Sequence, residues 1–146
     1  MEAMSRTNRT STTPMLADRI ARSSIERLRE LELEATVTVV EVAPLAADVA
    51  CASLTGVPSA ELQGVIEQIA AADAVIAAAP VYKAGISGLF KSLVDVLDND
   101  LLIAKPAVLA ATAVSSRHAL VVDDPMRLLF ADNACAHAAD FRLCRP

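Results

Sequence analysis

The chain has 146 residues, enough for one domain with a proper core and too few for two. A net charge of −5, an isoelectric point near 4.9 and only 3% aromatic residues argue against nucleic acid or an anionic membrane surface as the main partner. Hydrophobic residues make up 54%, much of it alanine, yet no run approaches the ~18 apolar residues of a membrane span.

Residues 1–9 show no periodicity and read as irregular. Met1–Pro14 is polar, with Arg6 and Arg9, and carries no secretory apolar region. Thr13 suits an N-cap and Pro14 a first helical residue. The helix expected over 14–31 has Leu16, Ile20, Leu28 and Leu31 as its stripe. A hydroxyl-rich loop that opens a helix either holds phosphate or simply caps the helix. A β-branched strand follows over 35–42, and residues 43–58 read as small and irregular. Ser59 caps a helix over 59–72, with Leu62, Val65, Ile66 and Ile69 buried. Residues 74–79 form an apolar run without alternation, as in a parallel strand covered on both faces, and Pro80 is expected to end it. Ser87 then caps a helix over 88–98, whose face is Leu89, Phe90, Leu93, Val94 and Leu97. A second buried strand spans 107–112, and an apolar-rich segment runs from Ala119 to Ala131.

Alternating strands and helical stripes predict a single α/β domain over 1–146 with a parallel sheet. Open sheets of this kind bind ligands at the carboxyl ends of their strands, the place of the tight loop after residue 79. A plain strand-turn-helix, with Gly85 and Gly88 relieving crowding, is the competing reading of that loop. The three cysteines, Cys51, Cys135 and Cys144, are scattered and odd in number, which suits a reducing cytoplasm. Cys135, His137 and Cys144 match no common zinc spacing, and no metal site is expected. No Ser/His/Asp set, paired carboxylates or HExxH motif stands out, so no catalytic side chain is assigned.

Pro80-Val-Tyr-Lys-Ala84, with Ser87-Gly88-Leu-Phe-Lys91, resembles the P-V-Y/F-K/N-A-x-Y-S-G-x-x-K signature of the NAD(P)H-dependent FMN reductases. Ser11-Thr12-Thr13 with Met15-Leu-Ala-Asp18-Arg19 resembles that family's S-S-T-x-x-L-A-D-R segment, and Thr112 to Leu120 its A-T-G-G-T-x-R-H-S-L. The resemblance covers about residues 10–131. It implies a flavodoxin-like three-layer αβα fold, FMN as cofactor and NAD(P)H as co-substrate. Ser11, Thr12 and Thr13 would bind the FMN phosphate. Pro80, Val81, Tyr82, Lys83, Ala84 and Ser87 would hold the ring, and Thr112, Ser115 and His118 its opposite wall. It further implies delivery of reduced flavin to an acceptor such as a monooxygenase, and homo-oligomers.

The chain departs from the pattern at Ile86, where the family often has an aromatic residue, and at Ala113 and Val114, which replace two glycines. Glycine there lets backbone N–H groups approach the ring. Met1–Arg6 is too short and polar for the family's first strand, and residues 132–146 carry no evident fifth strand. The expected sheet therefore lacks its first and fifth strands, in a chain shortened at the N-terminus and divergent after Ala131. Two other functions compete with a reductase: a non-catalytic flavin-binding module and an inactive remnant of the family.

Overall fold

A computed structural model describes residues 2–4, 12–118, 120–132, 136–137 and 142–144. Its hub is β3 (Val75–Tyr82), whose first six residues are buried. Beside it lies β5 (Pro106–Thr112), parallel, in unbroken register from Val75↔Ala107 to Pro80↔Thr112. On the other side of β3 lies β1 (Glu2–Met4), also parallel, pairing Glu2↔Val75 to Met4↔Ala77. β1 in turn pairs with β2 (Thr38–Val40), and the order is β2-β1-β3-β5. Beyond β5, the short strands β6 (Ala136–His137) and β7 (Arg142–Cys144) both pair with it in parallel.

Two expectations are overturned here. The first strand is present, as β1 at the centre of the sheet, so residues 1–9 are not wholly irregular. The place beyond β5 is also filled, by β6 and β7. Ladder bonds come from the backbone, so even a three-residue segment that opens on a charged residue can occupy a central strand if both neighbours supply partners. Three residues are too few to generate the period-2 signal that identifies a strand.

Pro80 does not end its strand either. β3 runs through it to Tyr82 and folds back antiparallel through β4 (Gly85–Ile86). Pro80 keeps its place opposite Thr112 in the ladder with β5, and its carbonyl accepts from the Ser87 N–H at 3.0 Å.

Residues 43–58 are more regular than expected. A 3₁₀ turn (Ala43–Leu45) leads into α2 (Ala46–Thr55). Pro44 sits in the first turn, where its missing N–H costs nothing. Gly56 ends the helix in the left-handed region, φ 72°, with its N–H bonded to the Ala52 carbonyl.

The remaining helices are α1 (Thr12–Glu30), α3 (Ala60–Ala71), α4 (Gly88–Asp95) and α5 (Arg127–Asp132). A π-helical turn over Val122–Met126 accommodates Pro125 and continues into α5. Successive strand residues point to opposite faces. Val75, Ala77, Ala79, Ala107, Leu109 and Ala111 join the larger core, with Leu62 and Ile69 of α3, Phe90 and Leu93 of α4, and Phe130 of α5. Ala78 and Ala110 meet Leu16 and Ala17 of α1, and Ile76 meets Ala21. The alanines bring α1 close to the sheet, giving three layers. Lys105, at the entry to β5, donates from Nζ to the carbonyls of Ile69 at 2.9 Å, Ala70 at 2.8 Å and Ala72 at 2.6 Å, closing the end of α3. Among the described residues no helix is long and apolar enough to cross a membrane.

Candidate functional site

Because β3 and β5 are parallel neighbours, their exit loops open at the same edge of the sheet. The loop after β3 is a two-residue hairpin in which Tyr82 pairs with Gly85. Its tip residues, Lys83 and Ala84, both have positive φ, 50° and 63°. That is the geometry of a type I′ turn, for which Asn-Gly is the usual sequence. A side chain in the left-handed region costs about 1–2 kcal/mol. The turn places Tyr82, 58% exposed, and the exposed Lys83 at the rim. The hairpin closes where the Ser87 N–H donates to the Pro80 carbonyl at 3.0 Å. Ser87 holds the N-cap position of α4, as expected, but makes no side-chain cap bond. Its carbonyl accepts from the Lys91 N–H at 3.0 Å, and Lys91 pairs with Asp95.

Crowding does not account for the glycines of this loop. A Cβ at Gly88 would meet nothing within 4 Å, and one at Gly85 only the Tyr82 carbonyl at 3.8 Å.

After β5, Thr112 and Ala113 are buried while Val114 is 89% exposed. The Ser115 hydroxyl accepts from the Arg117 N–H at 3.3 Å, and the Ser115 carbonyl accepts from the His118 N–H at 3.2 Å. These bonds form a 3₁₀ turn over Ser116–His118. Within it, His118 Nδ1 is buried without a hydrogen-bond partner. Buried polar nitrogens are rarely left so, and an orphan beside an open loop fits a site that takes a polar ligand.

The third component is the start of α1. Ser11 lies outside the described residues. Thr12 opens the helix, so Thr13 is its second residue and not its N-cap. Thr13 is fully buried, and its hydroxyl lies 2.5 Å from that of Thr112. Nothing local in the sequence announces this bond between residues on separate elements.

Residues 80–90 and 112–122 contain no carboxylate. Lys83 and Arg117 make no ion pair among the described residues. In a chain of net charge −5, this rim is locally cationic and favours an anion. A separate cleft of about 710 Å³ lies between α4 and the segment 125–131, lined by Lys91, Val94, Pro125 and Leu128 among others. None of the sequence-predicted site residues lines it. Among the described residues no group of three or more His, Cys, Asp or Glu side chains could hold a metal ion.

An open, doubly wound sheet with helices on both faces and two loops at the exits of adjacent parallel strands defines a flavodoxin-like α/β protein. The sequence model of the NADPH-dependent FMN reductase family matches residues 4–141, and the chain belongs to that family. It is 41% identical over 92 residues to an FMN reductase (NADPH) of Pseudomonas aeruginosa, covering 63% of this chain and 50% of that protein. Over 86 residues it is 44% identical to the NADH-dependent FMN reductase SfnF of Pseudomonas putida, covering 56% of this chain and 46% of that one. Among solved structures, an oxidoreductase from Corynebacterium diphtheriae is similar with a TM-score of 0.92 and 30% identity, over 97% of this chain and 79% of that one. The chain spans about half the length of the curated relatives it matches.

Proposed function

We propose that the chain is a flavin reductase that transfers a hydride from NAD(P)H to FMN held between the loops after β3 and β5. The observation carrying this reading is the adjacency of those loops: the Pro80–Ala84 motif and the Thr112–His118 motif leave neighbouring parallel strands in register at Pro80↔Thr112. Bound FMN supplies the redox chemistry, and the protein's share is binding, orientation and electrostatics. Ser11 and Thr12 serve the phosphate at the start of α1, where free N–H groups and the helix dipole face an anion. Pro80, Val81, Tyr82, Lys83 and Ala84 line one side of the ring, and Ser87 fixes the hairpin that carries them. Ser115 orders the opposite loop, and His118 offers it an unused nitrogen. Thr13 and Thr112 hold the two ends of the site in place.

One relative is named for NADPH and another for NADH, so both coenzymes belong in the test. Reduced FMN would pass to an acceptor such as a monooxygenase, in a reducing cytoplasm that suits the exposed free thiol of Cys51. Exposed Leu120 and Leu128 favour homo-oligomers, which light scattering at micromolar concentration would detect and a monomer would refute.

The deciding experiment adds FMN to purified protein and then NADH or NADPH without oxygen. Tight flavin uptake followed by bleaching of the visible flavin band is expected. Binding without bleaching would refute the reductase reading, and no binding would refute the flavin reading altogether.

A further inference from the structure

Thr13 and Thr112 are 99 residues apart in sequence, yet their hydroxyls lie 2.5 Å apart. Thr13 is 0% exposed and Thr112 6%. One comes from the first turn of α1 and the other is the last residue of β5. A threonine hydroxyl has a single proton, so one hydroxyl of the pair donates and the other accepts. Breaking such a buried bond costs free energy that water does not return, which makes the contact hard to give up.

We propose that Thr13 and Thr112 are positioning residues that form a hydroxyl clamp between the phosphate end and the ring end of the flavin site. This rests on the flavin reading above. The start of α1 would hold the phosphate and the exit of β5 would wall the ring. The two subsites belong to different elements, and this bond fixes their spacing from within the core. A defect at the ring end is thereby transmitted to the phosphate end.

The clamp makes a prediction that two independent contacts would not. Affinities for FMN and for riboflavin, which lacks the phosphate, are measured by fluorescence titration in the native chain, Thr13→Val, Thr112→Val and the double variant. Each single valine variant is expected to weaken FMN binding about three- to tenfold, the worth of one buried hydrogen bond. The double variant should be no weaker than the singles. Both singles should lower the FMN-to-riboflavin affinity ratio by the same factor, although only Thr13 belongs to the element that would hold the phosphate. Thr112→Ser, which keeps the hydroxyl, should restore the ratio. Thr13→Ala and Thr112→Ala carry the same comparison if the valine variants do not fold.

Losses that add in the double variant would overturn the clamp. So would a Thr112→Val variant that weakens FMN and riboflavin equally, which would make Thr112 a plain ring contact. A native chain that binds neither flavin would sink the flavin reading and the clamp's role with it, an outcome distinct from either of these.

Discussion

Replacing Lys105 with methionine tests how the entry of β5 is anchored. The lysine Nζ donates to three carbonyls at the end of α3, at 2.6–2.9 Å. Those carbonyls belong to the end of a helix, where orphan acceptors and the negative end of the dipole both favour a cation. Hydrogen bonds to a charged group are worth about 1.5 kcal/mol each at the low end, so the three contribute about 4.5 kcal/mol. Ordering a lysine side chain costs about 1.5–2 kcal/mol, which leaves about 2.5–3 kcal/mol. Methionine keeps the length and apolar stem while removing the charge and the donors. At this chain length the loss corresponds to a fall of about 5–10 °C in Tm, read by circular dichroism and checked by urea unfolding. A change below about 0.5 kcal/mol would show that water replaces the lysine at these carbonyls without cost. The anchoring argument would then be wrong.

Ala84→Gly should raise Tm by about 1–3 °C, because relief of a left-handed alanine, about 1–2 kcal/mol, exceeds the added backbone entropy of glycine, about 0.5–1 kcal/mol. A fall in Tm would mean that the turn is not strained. Phe130→Ala should cost about 3–5 kcal/mol in urea unfolding, since the ring is fully buried and lies 6.4 Å, centroid to centroid, from Phe90. A loss under about 1 kcal/mol would deny α5 its place in the core. Val114→Gly removes an exposed branched side chain from the loop after β5 and should tighten FMN binding, with Tm changed by no more than about 3 °C. Unchanged or weaker binding in a flavin titration would dismiss Val114 as an obstruction.

The elements with long, strongly patterned sequences were legible. The alanine and valine run of β3, the matching run of β5 and the apolar stripes of α3 and α4 all lie within a few residues of expectation. α2 was not, because Ala46–Thr55 has little amphipathic contrast and its helical identity depends on packing Val49 and Ala52 into the core. β1 escaped notice because three residues carry no period, and only its neighbours make it a strand. At the site, the motif residues could be named from the sequence, but their geometry could not. The hairpin at Lys83 and Ala84 lacks the Asn-Gly signal that would have revealed it. The Thr13–Thr112 bond depends on how α1 docks against β5, which no local pattern encodes.

The ladder between β3 and β5 has a consequence for the order in which the molecule assembles. It joins segments linked through a single helical crossover, α4, with Val75 opposite Ala107, whereas β1 must reach β3 across more than twice that stretch of chain, with Glu2 opposite Val75. Short-range closures are faster, so the β3–α4–β5 unit is the natural nucleus, with β1 inserted later. In hydrogen exchange, amides of residues 75–79 and 107–111 should be the last to open. Those of β2, held by a three-residue neighbour, should exchange through a smaller, earlier opening that leaves the nucleus intact.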